Sequence, residues 1–297
     1  MPRLTEAELA DRRKGLGSTC IVEANGLAPW RGAGPTRLFN EKLGIIGADD
    51  SAEEELEDDE DYLNWGHVME EVYAAEFEKR YGVKLQLGGP RYSTEMPNFW
   101  ASLDRTIVGA NEGVEIKNVG SPHFYRHWDT SSPDGVPNYV RAQCTMHMRF
   151  TGFGSWKVFA GIGGRPPHCW TVFYDSELSD LLFDGAKRFW QLVQDGTPPP
   201  IDATTASRAY LLHKYPANVD RRMIDATELA EEWAAKRIEA ASEYARAKTI
   251  IDTATNELLA LVGDADGVQG NGWKCTWKLD KNQKRRPRFT GKGDDSE

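Results

Sequence analysis

The sequence predicts an α/β protein, a mixed central sheet flanked by helices and followed by a long helix and a small terminal hairpin. Three observations carry that expectation. Phe99 to Val119 places apolar and β-branched runs on either side of the turn sequence Gly109-Ala-Asn-Glu-Gly113, the pattern of two antiparallel strands. Leu63–Gly82, Pro137–Phe150 and Asp175–Asp195 carry apolar residues at helical spacing. Ala226 to Val262 is almost uninterrupted helix-forming sequence, with apolar residues at 229, 233, 238, 240, 244, 250, 251, 258, 259 and 262.

The 297 residues and 40% hydrophobic content suffice for a sizeable core. No apolar run approaches the roughly 20 residues of a membrane span, and Met-Pro-Arg-Leu-Thr-Glu at the start lacks a signal-peptide core, so a cytoplasmic location is expected. The four cysteines, Cys20, Cys144, Cys169 and Cys275, are scattered without a Cys-x-x-Cys pair. That argues against a zinc knuckle, a disulfide framework and an iron–sulfur cluster.

The formal charge of −10 argues against a nucleic-acid enzyme until its distribution is considered. Residues 49–61 hold ten acids and no base, which accounts for the whole excess and reads as a solvated acidic loop. Lys278, Lys281, Lys284, Arg285, Arg286, Arg288 and Lys292 form a basic tail, either solvated or in contact with phosphates.

Taken in order, Arg12-Arg13-Lys14-Gly15-Leu16-Gly17-Ser18-Thr19 sets basic residues before a Gly-x-Gly-Ser turn and a short helix, Thr19 to Asn25. A hydroxyl-capped helix start beside arginines is a ready anion site, although a glycine pair also serves as a plain tight turn. Thr36 to Gly44 is a second short helix. Leu63 to Gly82 is a third, closed by a glycine. Glu70 lies among its apolar neighbours Met69, Val72 and Tyr73, either partly buried or simply a carboxylate favoured by the helix dipole. In Pro137–Phe150, Tyr139 and Gln143 stand one turn apart and can face one cleft. Lys157–Gly161 and Trp170–Tyr174 read as further strands of the sheet. Asp175 then opens a helix that Asp195-Gly-Thr-Pro-Pro-Pro200 stops. The expected division is a core over 1–204 and a helical extension over 205–297, with Trp273–Lys278 as a strand of the terminal hairpin.

The Phe99–Val119 hairpin concentrates the chemistry. A turn centred between Gly109 and Ala110 sets Asp104 across from Glu115, and residues two apart on a strand share a face, so Glu115, Lys117 and Asp104 converge while Ile116 points into a core. Two carboxylates on one spot favour a hard cation such as Mg²⁺. A lysine beside them can orient the attacking water and neutralise charge developing on phosphate. Glu70 would supply a third carboxylate. A surface hairpin with a Glu-Lys salt pair has the same short signature.

In its order of features the chain resembles the phage lambda exonuclease and YqaJ-like viral recombinase family of the PD-(D/E)XK nuclease superfamily. The resemblance runs through Arg12-Arg13-Lys-Gly-Leu-Gly-Ser18, Trp65-Gly66-His-Val-Met-Glu70, Ala101-Ser-Leu-Asp104, Val114-Glu115-Ile-Lys117, Pro137-Asn-Tyr139-Val-Arg-Ala-Gln143, Phe189-Trp190, Pro198-Pro199-Pro200, Gly263-Asp-Ala and Cys-Thr-Trp277-Lys. It implies a restriction-endonuclease-like core. It further implies Mg²⁺ or Mn²⁺ held by Glu70, Asp104, Glu115 and the Ile116 backbone carbonyl, with Lys117 positioning the water and Gln143 orienting the water or Lys117. A pocket near Arg12 or Arg13 and Ser18, with Tyr139 nearby, would hold a 5′ phosphate, Arg12 and Arg13 competing for that role. His67 departs from the commoner pattern and, three residues before Glu70, is either an added metal ligand or a polar residue near the DNA groove.

Implied by this resemblance is a 5′-to-3′ exonuclease on double-stranded DNA that leaves 3′ single strands for a phage annealing protein. The enzyme would be encoded by a phage or prophage and act as a homo-oligomer, a trimeric ring in related proteins. An endonuclease of the same superfamily, or a non-catalytic DNA-binding recombination subunit, remains open on these residues.

Overall fold

The computed structural model describes residues 12–30, 32–45, 56–120, 127–162, 165–215, 223–280 and 284–291. The chain divides into two compact units, residues 1–217 and 218–297.

In the first unit a six-stranded sheet is built from β1 (Leu16–Gly17), β2 (Leu85–Tyr92), β3 (Phe99–Ile107), β4 (Glu112–Val119), β5 (Ser155–Ile162) and β6 (Arg165–Phe173). Its helices are α1 (Ser18–Ala24), α2 (Pro35–Leu43), α3 (Leu56–Tyr81), α4 (Asn138–Thr151), α5 (Ser176–Asp195) and α6 (Thr205–Lys214). Strand β4 runs antiparallel to β3 and parallel to β5, with α4 in the connection to β5, so the sheet is mixed as expected.

Strand β3 organises the site. Strand β2 pairs antiparallel along one edge of β3 from Trp100 to Ile107. On the other edge β1 pairs parallel with Phe99 and Trp100, whereas β4 pairs with Arg105 and Thr106. The segment Ala101–Asp104 therefore lies between the ends of two strands that diverge, leaving backbone groups there for side chains to engage.

The turn from β3 to β4 needs a left-handed residue, which Gly109 supplies at φ +79°. Arg105 pairs with Val114 and Thr106 with Gly113, and the same register continued sets Asp104 opposite Glu115. At Gly113 a Cβ would stand 2.2 Å from the Trp156 ring, so the fully buried indole requires glycine there.

Three clusters make the core. Helices α1, α2, α4 and α5 meet over Leu38, Phe39, Phe183 and Trp190. Helix α4 covers the sheet with Val140, Cys144 and Met148 against Trp156 and Val158. Helix α3 covers the opposite face, where Tyr73 and Phe77 pack on Val114, Ile116 and Phe159. Ile116 therefore does point into a core.

Several expectations change. Strand β2 was not foreseen, because Gly88, Gly89 and Pro90 interrupt its pattern. Helix α3 begins at Leu56, inside the acidic run read as a loop, since carboxylates in a first turn offset the helix dipole. Residues 49–55 and the side chains of 56–61 lie outside the described residues. Helix α6, assigned from sequence to the extension, packs in the first unit: Tyr210 sits edge-on to Phe39 and Ser207 Oγ donates to Thr36 Oγ1.

The second unit contains α7 (Glu228–Val262), capped at its start by Thr227, and β7 (Gly267–Gly270), β8 (Trp273–Leu279) and β9 (Arg285–Gly291). The expected hairpin is a three-stranded antiparallel sheet, because much of the basic tail forms the third strand. Lys281 and Lys292 lie outside the described residues. No helix among the described residues is long and apolar enough to cross a membrane.

Candidate active site

The site lies between β3, β4 and α4. Asp104 turns its carboxylate across the open end of the β3–β4 ladder, where Oδ2 accepts the Ile116 N–H at 2.8 Å. A strand residue sends its N–H and C=O to the same side, so the Ile116 carbonyl is directed toward Asp104 as well. Glu115 is 1% exposed. Its Oε1 lies 2.6 Å from Lys117 Nζ and accepts Gln143 Nε2 at 2.8 Å. Lys117 in turn donates to Gln143 Oε1 at 3.2 Å. Glu115, Lys117 and Gln143 form a closed polar triangle, with Gln143 bridging the ion pair, and Asp104 stands beside it on the Ile116 N–H.

Electrostatics separate the two carboxylates. Burial first, and then the charge of Glu115, push the Asp104 carboxyl well above the usual range, against the opposing pull of Lys117 and the Ile116 N–H. Burial also acts to raise Glu115, but the charge of Lys117 and the hydrogen bonds from Lys117 and Gln143 outweigh it and hold Glu115 low. Lys117 would be lowered by burial, yet the charges of Glu115 and Asp104 raise it above its ordinary value. The lysine is thus held as an ammonium here.

Glu70 is placed differently from the sequence expectation. Its Oε1 pairs with Arg105 Nη1 at 2.6 Å, while Glu71 takes Arg105 Nη2 at 2.7 Å. The side chain of Arg105 is 6% exposed, and a nearly buried guanidinium on the α3 side of β3 demands carboxylate partners. Among the described residues no group of three His, Cys, Asp or Glu side chains is gathered closely enough to hold a metal. The third carboxylate is therefore not assembled with Asp104 and Glu115, though its charge is felt at Asp104. The side chain of His67 lies outside the described residues.

Ser18 does not cap its helix. The cap residue of α1 is Gly17, with no side-chain bond, and Ser18 Oγ instead lies 3.0 Å from Nε2 of the buried His147. A pocket of about 280 Å³ opens beside it, lined by Arg12, Ser18, Thr19, Lys42, Ser102 and Gln143, with the Glu23–Arg37 ion pair in its wall. Lys42 Nζ donates to the Arg12 backbone carbonyl at 2.9 Å. Between the two competing arginines, Arg12 lines this pocket and Arg13 reaches toward Gly44. Tyr139 lines a separate groove of about 710 Å³ with Trp128 and Asp129. Burial raises its hydroxyl and the nearby Lys117 charge opposes that.

Sequence reasoning missed Lys42, Ser102 and His147. For two of them a signal existed: Ser102 is two residues from Asp104 on the same strand face, and His147 is one turn beyond Gln143. Nothing local marks Lys42, which reaches the pocket only because α2 packs on α1.

The mixed sheet of the first unit has a fold that solved exonucleases share. The chain superposes on LHK-Exo solved in complex with dAMP, with a TM-score of 0.50 at 18% identity over 71% of this chain and 97% of that one. It likewise superposes on the alkaline exonuclease LHK-Exo from Laribacter hongkongensis, with a TM-score of 0.51 at 16% identity over 65% and 94% of the two chains. The family model of the YqaJ-like viral recombinase domain matches residues 9–154. The chain is also 26% identical over 279 residues to the protein YqaJ of Bacillus subtilis (strain 168), covering 91% of this chain and 82% of that one.

Proposed function

We propose that the protein is a divalent-metal-dependent exonuclease that degrades double-stranded DNA from 5′ ends and leaves 3′ single strands for recombination. The observation that carries this reading is the triangle of Glu115, Lys117 and Gln143 with Asp104 beside it at the gap in the β3 edge. The donor set fits Mg²⁺ or Mn²⁺. It consists of carboxylate oxygens and a backbone carbonyl, all hard ligands, and Glu115 Oε2 is fully buried without a hydrogen-bond partner. Asp104, Glu115 and the Ile116 carbonyl would hold the cation, with Glu70 joining if released from Arg105. A bound cation would polarise the scissile phosphate and lower the pKa of water.

The protein's own residues do the remaining work. Lys117 offers an ammonium that holds the attacking water and offsets charge on the phosphate oxygens. Gln143 fixes the lysine by bonding both members of the ion pair. Arg12, Ser18 and Ser102 line the pocket that would seat a 5′ phosphate, and Lys42 buttresses Arg12 from behind. The fold shared with LHK-Exo, one structure of which contains dAMP, and the match of a viral recombinase family model to residues 9–154 both support this reading.

The test is digestion of linear duplex DNA labelled separately at each end, with and without 5′ phosphate, in Mg²⁺ and in EDTA, beside a closed circle. Metal-dependent loss from phosphorylated 5′ ends with the circle spared is expected. Cutting of the circle would favour an endonuclease instead.

A further inference from the structure

One buried titratable group has no part in the chemistry above. His147 follows Gln143 by one turn of α4, so the two share a face toward β4. It is 0% exposed, with its ring edge-on to the Trp156 indole at 5.1 Å. Its Nε2 lies 3.0 Å from Ser18 Oγ, and its Nδ1 lies 3.4 Å from Glu115 Oε2. Both Nδ1 and Oε2 are fully buried, and neither has a hydrogen-bond partner at normal length. Two unsatisfied polar atoms therefore face each other across a gap slightly longer than a bond.

The donor inventory decides how the gap is used. A neutral imidazole carries one N–H and one lone pair, whereas the Ser18 hydroxyl can turn to donate or accept. Were the hydrogen on Nε2, the Nδ1 lone pair would confront a carboxylate oxygen, acceptor against acceptor. With the hydrogen on Nδ1, that N–H points at Glu115 Oε2 and Nε2 accepts from Ser18. Lys117 and Gln143 both act on Oε1, so Oε2 is the one oxygen of Glu115 whose direction they leave unset.

We propose that His147 is a positioning residue that orients the Glu115 carboxylate for a divalent cation and links that orientation to Ser18 in the wall of the anion pocket. This inference rests on the metal-dependent reading given above. A carboxylate oxygen has two lone pairs, so Oε2 accepts from His147 and retains one for the cation. Groups that orient a metal ligand in this way set metal affinity by ten- to a hundredfold.

The experiment is titration of the full chain with Mn²⁺ in the absence of DNA, followed by calorimetry, for the wild type, His147→Leu, His147→Asn and Ser18→Ala, with near-UV circular dichroism to confirm packing. His147→Leu removes both polar atoms and should weaken Mn²⁺ binding by about ten- to a hundredfold. His147→Asn places an amide N–H where Nδ1–H stood and should recover most of that loss, which a role in packing alone would not do. Ser18→Ala leaves the imidazole in place but frees its tautomer, and should weaken binding in the same direction by less. It also keeps the test decisive should His147→Leu fail to fold. Equal affinity in the wild type and every folded variant, or equal losses in the Leu and Asn variants, would overturn the inference while leaving the metal site intact. Absence of Mn²⁺ binding by the wild type would overturn the metal-dependent reading and this inference with it.

Discussion

The gap beside β3 and the terminal sheet β7–β9 both concentrate charge, and they do so in opposite ways. At the gap, opposite charges are brought out of water and each is tied to a partner: Glu115 is buried, and its oxygen Oε1 serves both Lys117 and Gln143. On the terminal sheet the register places Lys274, Lys278, Arg286 and Arg288 on one face, all exposed, while Trp273, Cys275, Trp277 and Phe289 take the other. Exposed cations on a strand need no partner, since water and salt screen them. Buried ones exist only where geometry supplies compensation. The difference teaches that charge density alone does not mark a site; burial with mutual satisfaction does.

That contrast can be broken most severely at Lys117. Lys117→Ala should reduce DNA cleavage by about a hundredfold or more, the scale of losing one preorganised charge-stabilising donor. It should also lower stability by roughly 3 kcal/mol, because Glu115 is left buried without its counter-charge. Steady-state digestion and urea melts measure the two effects. A stable but inactive Lys117→Ala would mean that Glu115 is protonated or hydrated once the lysine is gone, weakening the contrast.

The imidazole of His147 sharpens the comparison through pH. Burial foremost, with Lys117 acting in the same direction and Glu115 opposing both, lowers its pKa to about 4. Because the folded value lies below the unfolded value of about 6.5, the unfolded chain binds the proton first, and stability is lost as pH falls from about 6.5 toward 4. The contribution is on the order of 3 kcal/mol. Thermal melts of wild type and His147→Leu should converge as pH drops through this window. Parallel curves would show that the imidazole is not held neutral by the fold.

Packing around the site gives a comparable effect by another route. Gly113→Ala drives a methyl into the Trp156 ring and should cost about 2 kcal/mol, read from a denaturant midpoint, with the Trp156 environment altered in near-UV spectra. At the small end, Lys274→Gln or Arg288→Gln on the terminal sheet should change stability by less than about 0.5 kcal/mol. A larger effect from either would mean that the exposed face is engaged after all and that the two regions are more alike than their burial suggests.

Much of this was legible in the residues. Gly109 and the alternation around it located the β3–β4 turn, and the turn fixed the register that sets Asp104 opposite Glu115. Asp175 and Gly196 bounded α5, and Gly82 closed α3, because capping chemistry is local. Strand β2 was not legible, since glycine and proline hide an edge strand whose pairing comes from a distant segment. The partner of the third carboxylate was not legible for a related reason. Helical spacing put Glu70 near the sheet, but whether it faced Asp104 or Arg105 depended on which side of β3 received α3.

The sequence by itself determined the α/β class, the hairpin and the polar trio on one strand face, because turns, caps and strand alternation act over a few residues. Tertiary structure alone decided that α4 would bring Gln143 and His147 onto Glu115, that Ser18 would serve a histidine rather than its own helix, and that Arg105 would claim Glu70. Those pairings join residues far apart in the chain, and their strength comes from burial. Until the core excludes water, nothing in the local sequence distinguishes a bound partner from a solvated one.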